Sequence, residues 1–172
     1  MLQEEAAARD LIAPNTPIDA ATAFALVRDM PYMRASSRRP EAIIREWRGT
    51  CSGKHYLLKE IFAELALPAR VIACTTEVRL DPATMPEPLR SLLEASNGRF
   101  VDVHNYLILS LPDGDMVVDA TWPLNTRPFG LTVNDEFVLG QDQQIAYTPQ
   151  KQWVVPESDD PQAFKESLLR QE

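Results

Sequence analysis

One change in apolar spacing constrains the fold of this chain more than any other feature. Between residues 51 and 68 the apolar side chains recur at helical spacing, and Pro68 ends the pattern. Residues 69–80 are then rich in β-branched side chains, which are typical of a strand. A helix that leads directly into a strand requires a domain in which each buries one face against the other. The apolar face of this helix consists of Leu57, Leu58, Ile61, Phe62 and Leu65.

The other segments predict helices in the first part of the chain and a sheet after them. The predicted helices cover residues 3–12, 19–30, 40–47, 51–68, 89–95 and 161–169. The predicted strands cover residues 69–80, 100–111 and 116–122, with edge strands at 144–148 and 152–155. Residues 81–88 and 123–144 are predicted as loops. The order predicts an α+β fold with N-terminal helices, in which the helix that begins at Cys51 packs on an antiparallel β-sheet.

Length and charge limit the kinds of protein that this chain can form. Its 172 residues suffice for a single domain over residues 1–172, with a core large enough to need no disulfide. The net charge of −8 argues against a nucleic-acid partner, because binding to a phosphate backbone depends on clustered Lys and Arg. No apolar run is long enough to span a membrane, and the acidic N-terminus is unlike a secretory leader. We therefore expect a soluble, cytoplasmic protein.

Three residues have the order and the surroundings of a thiol catalytic triad. Cys51 lies where the clearest helical pattern begins, with Thr50 as the candidate N-cap, and a helix N-terminus favours the thiolate form of a cysteine. His104 lies on one predicted strand and Asp119 on the next. In such a triad the thiolate attacks, the imidazole carries the proton, and the carboxylate fixes the orientation of the imidazole.

The predicted hairpin tests whether this triad can form. With the turn centred on Asp113 and Gly114, Asp119 would face Ile108, and His104 would lie about 13 Å away along the strand at 3.3 Å per residue. That separation is too large for contact. The triad therefore requires a register shifted by about two residues, through a bulge or a longer turn, which brings the two side chains into diagonal positions.

Other side chains are candidates for supporting roles. The indole N–H groups of Trp47 and Trp122 are candidate oxyanion donors beside the backbone N–H of Cys51. His55 lies four residues after Cys51, on the same helical face, and is a second base, a substrate donor or an ordinary surface histidine. Of these three roles we favour the surface histidine.

The two cysteines have different surroundings. Cys74 lies in an apolar run and is predicted to be a small buried hydrophobe, whereas Cys51 lies among polar residues. Together with His55 and His104 they could form a set of four zinc ligands, but only one close pair exists where structural zinc sites usually have two. We therefore expect no metal, and no cofactor, since no phosphate-binding loop is present.

The triad and its flanking residues resemble the transglutaminase-like superfamily. That superfamily includes transglutaminases, related proteases and peptide N-glycanases, has a papain-like cysteine-proteinase fold, and is similar to the arylamine N-acetyltransferases. The resemblance covers roughly residues 47–123, and we place the core of the domain at about 40–123. It rests on Gly49-Thr50-Cys51, on Leu65-Ala66-Leu67-Pro68-Ala69-Arg70-Val71, on His104-Asn105-Tyr106 and on Asp119-Ala120-Thr121.

The resemblance implies an activity and a set of roles. Cys51 matches the nucleophile, His104 the base and Asp119 the orienting acid. The implied enzyme is a cysteine hydrolase or an acyltransferase that forms a Cys thioester from a peptide or a small-molecule amide, with hydrolysis favoured. The alternative is a binding or scaffold module that keeps the fold without turnover. The sequence does not indicate an oligomeric state.

Overall fold

A computed structural model describes residues 1–79, 83 and 87–171, so most of the predicted loop at 81–88 lies outside the described residues. The α+β class is confirmed, with a four-stranded antiparallel sheet in the order β3-β2-β1-β4. The elements are α1 (Leu2–Ala8), α2 (Ala20–Asp29), α3 (Pro40–Glu46), α4 (Cys51–Glu64), β1 (Ala69–Arg79), α5 (Leu89–Ala95), β2 (Arg99–Leu111), β3 (Gly114–Val118), a 3₁₀ helix (Leu124–Phe129), β4 (Lys151–Val154) and α6 (Pro161–Leu169).

The chain divides into two compact units. The first unit contains Met1–Ile72 and Asn105–Ala146, and the second contains Ala73–His104 and Tyr147–Glu172. Strands β1 and β2 each begin in one unit and end in the other. The expectation of a single domain over residues 1–172 stays a prediction.

Helix α4 is the central helix of the first unit, and α2 and α3 both pack against it. Its buried face carries the apolar residues that the spacing predicts, including Leu57, Leu58 and Phe62. Burying each such side chain stabilises the fold by about 1.5–3 kcal/mol. The helix begins at Cys51 because Thr50 has an extended backbone, although the Thr50 side chain does not cap it. The preceding helix α3 ends one residue earlier than predicted, because Trp47 adopts the left-handed conformation.

Helices α3 and α4 approach each other closely at Gly53. A Cβ atom added there would lie 2.6 Å from Cδ1 of Ile43, which is buried. We expect Gly53→Ala to destabilise the fold by about 1–2 kcal/mol, because overpacking of this kind costs about 1–3 kcal/mol and exceeds the gain in helix propensity. Ile43→Val removes Cδ1 and leaves Cγ1 at 3.3 Å from the added Cβ, so Gly53→Ala should cost much less in that background. Urea unfolding of the two single variants and the double variant measures this; equal effects of Gly53→Ala in both backgrounds would contradict it.

The β2–β3 hairpin has the register shifted by two residues. Leu107 pairs with Val118 and Leu111 pairs with Gly114, so Ile108 faces Val117 rather than Asp119. We expected a bulge or a longer turn to cause this shift. The hairpin has neither: a two-residue turn at 112–113, one residue earlier than predicted, sets the register. Gly114, with φ of 135°, begins the next strand. That strand ends at Val118, so Asp119 lies just beyond it and not on it.

Several predicted elements are corrected, and helix α4 ends at Glu64 rather than at residue 68. Helix α1 ends at Ala8 rather than at residue 12, because the chain turns back there and the Leu11 N–H donates to the Ala6 carbonyl. The predicted edge strand at 144–148 does not form, because the Gln144 backbone N–H and carbonyl both bind the side-chain amide of Asn134. The edge strand predicted at 152–155 is confirmed as β4, one residue earlier.

Among the described residues of the second unit, local signals placed the helices well. Helix α5 has the predicted bounds. Helix α6 does too, and the Asp160 side chain caps it by accepting a hydrogen bond from the Ala163 N–H. Lys165 on α6 lies 3.7 Å from the carboxylate of Asp102 on β2. In the part of the chain that the structure describes, no helix combines the length and the apolar character needed to cross a bilayer.

Candidate functional site

The turn that carries Cys51 is joined to the sheet by a buried polar chain. Cys51 is the first residue of α4, and only 3% of it is exposed. The next residue, Ser52, donates from Oγ to Oδ1 of Asn105 on β2 at 2.9 Å. The amide nitrogen of Asn105 in turn donates to the Ile72 carbonyl on β1 at 3.3 Å. Because all of these groups are buried and bonded, the N-terminus of α4 is fixed relative to both strands.

His55 joins the Cys51 turn to the chain segment that follows Asp119. Its Nδ1 lies 2.7 Å from the Cys51 carbonyl, which can only accept, so Nδ1 carries the proton and donates. Its Nε2 lies 2.9 Å from the Ala120 nitrogen and accepts that N–H. Both ring nitrogens are therefore engaged by backbone in the neutral imidazole. The surface-histidine interpretation is wrong, because His55 is fully buried.

Asp119 is a buried carboxylate with fixed oxygens. Oδ1 accepts from the Thr121 N–H at 2.9 Å, and Oδ2 accepts from the Ala146 N–H at 2.7 Å. Oδ1 also lies 3.6 Å from Nε2 of His55. Since Nε2 already accepts a hydrogen bond, this contact adds no second one. The backbone carbonyl of Asp119 accepts from the Asn134 side chain at 2.8 Å, so the loop around residues 134–146 holds this residue in place.

Lys54 is a buried amine that the sequence analysis missed. Its Nζ donates to the Arg28 carbonyl at 2.8 Å and to the Thr121 carbonyl at 3.0 Å. Burial lowers the pKa of Lys54 to about 7, although the charges of Asp29, Asp119 and a Cys51 thiolate each act to raise it. The ammonium is therefore close enough to Cys51 to interact with its charge. The sequence contained one signal of this burial: Lys54 precedes Leu57, Leu58 and Ile61 at helical spacing, so it lies on the apolar face of the helix.

The other three candidates, His104 and the two tryptophans, each have an aromatic or cation–π contact. His104 belongs to the second unit, is 2% exposed, and packs edge-on against Tyr147 with ring centroids 5.2 Å apart. Trp122 packs on Tyr32 with centroids 4.4 Å apart. The Trp47 ring lies under the Arg9 guanidinium at 5.2 Å. Within the first unit, the His55 imidazole thus joins the Cys51 turn to Asp119 and the segment that follows it.

Cys74 is fully buried, as its apolar surroundings predicted. Within residues 1–79, 83 and 87–171, no three His, Cys, Asp or Glu side chains are arranged to hold a metal ion.

Comparison with known proteins adds no family to this geometry. The chain matches no protein-family model, no curated protein and no solved structure.

Proposed function

We propose that this protein is a thiol-dependent acyl-transfer enzyme with a transglutaminase-like fold, and that Cys51 is its nucleophile. The observation that carries the proposal is the position of Cys51 at the first residue of a 14-residue helix, within electrostatic reach of the Lys54 ammonium. A helix N-terminus and a nearby cation both favour the thiolate over the thiol. The thiolate is the form of cysteine that attacks an acyl carbon.

The proposed reaction proceeds through a thioester. Cys51 attacks the carbonyl carbon of a peptide or a small-molecule amide, and His104 takes the thiol proton and returns it to the leaving amine. Asp119 holds the His104 imidazole in the productive tautomer. Water or an amine then attacks the thioester and regenerates the thiol, which gives hydrolysis or transfer respectively.

Two further observations support these roles. The β2–β3 register is the one that we expected if His104 and Asp119 act together, and the other register would separate them. Asp119 also has the geometry of an orienting acid, because two backbone N–H groups fix the positions of its oxygens.

A second candidate function is a binding or scaffold module without turnover. The observation that favours it is the burial of Cys51, since a reagent or substrate reaches a side chain that is 3% exposed only with difficulty. A reactive thiolate distinguishes the two functions, because the enzyme requires one and the scaffold does not.

The pH dependence of iodoacetamide alkylation at Cys51, read by peptide mass spectrometry, tests the proposal. We expect Cys51 to react well below pH 8, although an ordinary thiol has a pKa of about 8.5. In a His104→Ala variant that remains folded, the rate at pH 7 should fall by about tenfold, because the thiolate loses its imidazolium partner. Cys74 is the internal control and should stay unlabelled in the folded protein. Ordinary or absent reactivity of Cys51 would favour the scaffold.

A further inference from the structure

A cavity of about 190 Å³ lies beside the first turn of α4. Sites for whole drug-sized ligands are usually 300–1,000 Å³, so this cavity suits one chemical group rather than an entire substrate. The loop that joins α2 to α3 forms one wall, and α3 and α4 form the other. Its lining consists of Arg34, Ala35, Ser36, Ser37, Arg38, Ile43, Thr50 and Gly53.

The two arginines of this cavity have no acidic partner. Among the described residues, neither Arg34 nor Arg38 has an ion pair or a side-chain hydrogen bond. Most other arginines of the first unit do pair with a carboxylate: Arg9 with Glu5, Arg28 with Asp29, Arg48 with Glu46, Arg70 with Asp115 and Arg127 with Asp135. Arg39 and Arg45 are the exceptions there, and neither lines the cavity. In a chain with 25 acidic and 17 basic residues, two arginines at one cavity without an acidic partner leave a local positive charge for a ligand to neutralise.

The loop that carries these arginines is held in place. The Ser36 backbone N–H donates to both Glu46 oxygens at 3.1 Å, and the Ser36 hydroxyl donates to the same carboxylate. Arg48 donates to Glu46 at 2.7 Å. Hydrogen bonds from Ser36 and Arg48 lower the pKa of Glu46 to about 2, so its oxygens stay ionised and already occupied by donors. A fixed loop reduces the ordering cost of binding.

We propose that this cavity binds an oxyanion, a carboxylate or a phosphate, carried by the acyl substrate that Cys51 attacks. The guanidinium groups of Arg34 and Arg38 match the planar, bidentate geometry of such a group, and the Ser37 and Thr50 hydroxyls are further donors. Thr50 and Gly53 both line the cavity and flank Cys51 in the sequence. This inference rests on the proposed function for the role of Cys51, but the anion site itself does not.

Two alkylating reagents of nearly equal size and different charge test the inference. Iodoacetate carries a carboxylate, whereas iodoacetamide is neutral. We expect the ratio of their rates at Cys51, iodoacetate over iodoacetamide, to fall by about fivefold in the Arg34→Gln/Arg38→Gln variant, with the iodoacetamide rate unchanged. Arg39→Gln is the matched control, because Arg39 lies on the same exposed loop but does not line the cavity.

Thermal unfolding with added anions tests the site independently of the thiol. Succinate or phosphate should raise the melting temperature of the wild type more than chloride does at equal ionic strength, and the effect should disappear in the double arginine variant. A response to succinate alone identifies a carboxylate ligand, and a response to phosphate alone identifies a phosphate ligand. No specific rise, or an equal rise in the double variant, would overturn the anion site.

The outcomes separate this inference from the proposed function. If iodoacetamide alkylates Cys51 well below pH 8 but neither the rate ratio nor the melting temperature depends on the two arginines, only the anion site fails. If Cys51 reacts with neither reagent while the anions stabilise the wild type alone, the proposed function fails and the cavity remains an anion site.

Discussion

Between pH 7 and pH 10 the free energy of unfolding should rise by about 4 kcal/mol in the protein relative to a Lys54→Met variant. The pKa of Lys54 is about 7 in the folded protein and 10.5 in its ordinary state, because burial disfavours the ammonium. In this range the unfolded chain therefore binds a proton that the folded protein does not. Raising the pH removes that advantage of the unfolded chain, so stability increases. Well below pH 7 Lys54 is protonated in both the folded and the unfolded chain, so the difference in free energy of unfolding between the protein and the Lys54→Met variant becomes constant.

Urea unfolding at pH 6, 7, 8.5 and 10 measures this effect. The measurement belongs in a Cys51→Ala background, because a charge on Cys51 acts on Lys54. Lys59→Met is the matched control, since Lys59 lies on the same helix without being fully buried. The free energy of unfolding could instead have the same pH dependence with and without the Lys54→Met substitution in that background. This result would mean that the folded protein keeps the Lys54 ammonium charged, stabilised by the two backbone carbonyls that it binds.

The burial of Lys54 also explains a limit of the sequence analysis. Periodicity placed Lys54 and His55 at the start of a well-predicted helix, but their residue types suggested solvent exposure. Their burial depends on partners that are distant in the sequence, namely the carbonyls of Arg28 and Thr121 for the lysine and the N–H of Ala120 for the histidine. Spacing reveals which face of a helix is apolar, but it does not reveal whether a backbone group is available to a polar side chain there.

Elements with strong local signals were predicted well. Helix α6 begins after an aspartate that caps it, with Pro161 in its first turn, and both signals act within a few residues. The hairpin is an intermediate case. Its strands and approximate turn were predicted from local composition, whereas its register was inferred only from what a triad would require. The chain achieves that register through a tighter turn than we expected.

The support around Asp119 had no local signal. Residues 123–144 were predicted as a loop, and the structure uses that loop to fix the carboxylate region. The side chains of Asn134 and Gln143 bind the Asp119 backbone, and the Ala146 N–H binds its side chain. Such bonds join residues 15 to 27 positions apart through single side chains or amides, so no periodicity records them.

The His55 imidazole makes the connection between the two proposed catalytic segments, and we expect His55→Ala to destabilise the fold by about 3–5 kcal/mol. Two effects add. Removing a fully buried ring leaves a void, and the buried N–H of Ala120 loses its acceptor. Urea unfolding at pH 7 measures the loss. A loss below about 1 kcal/mol would mean that the site relaxes or that water replaces the ring.

Two conservative variants separate the contributions of the ring nitrogens. In His55→Asn the side-chain amide nitrogen occupies the place of Nδ1 and keeps the bond to the Cys51 carbonyl. In His55→Gln the side-chain oxygen occupies the place of Nε2 and keeps the bond from the Ala120 N–H. We expect glutamine to restore more stability than asparagine, because the Cys51 carbonyl retains its ordinary helical hydrogen bond, whereas the buried Ala120 N–H would have no acceptor. Equal stability of the two variants would show instead that the hydrogen bond from the Ala120 N–H contributes little to the effect of His55→Ala.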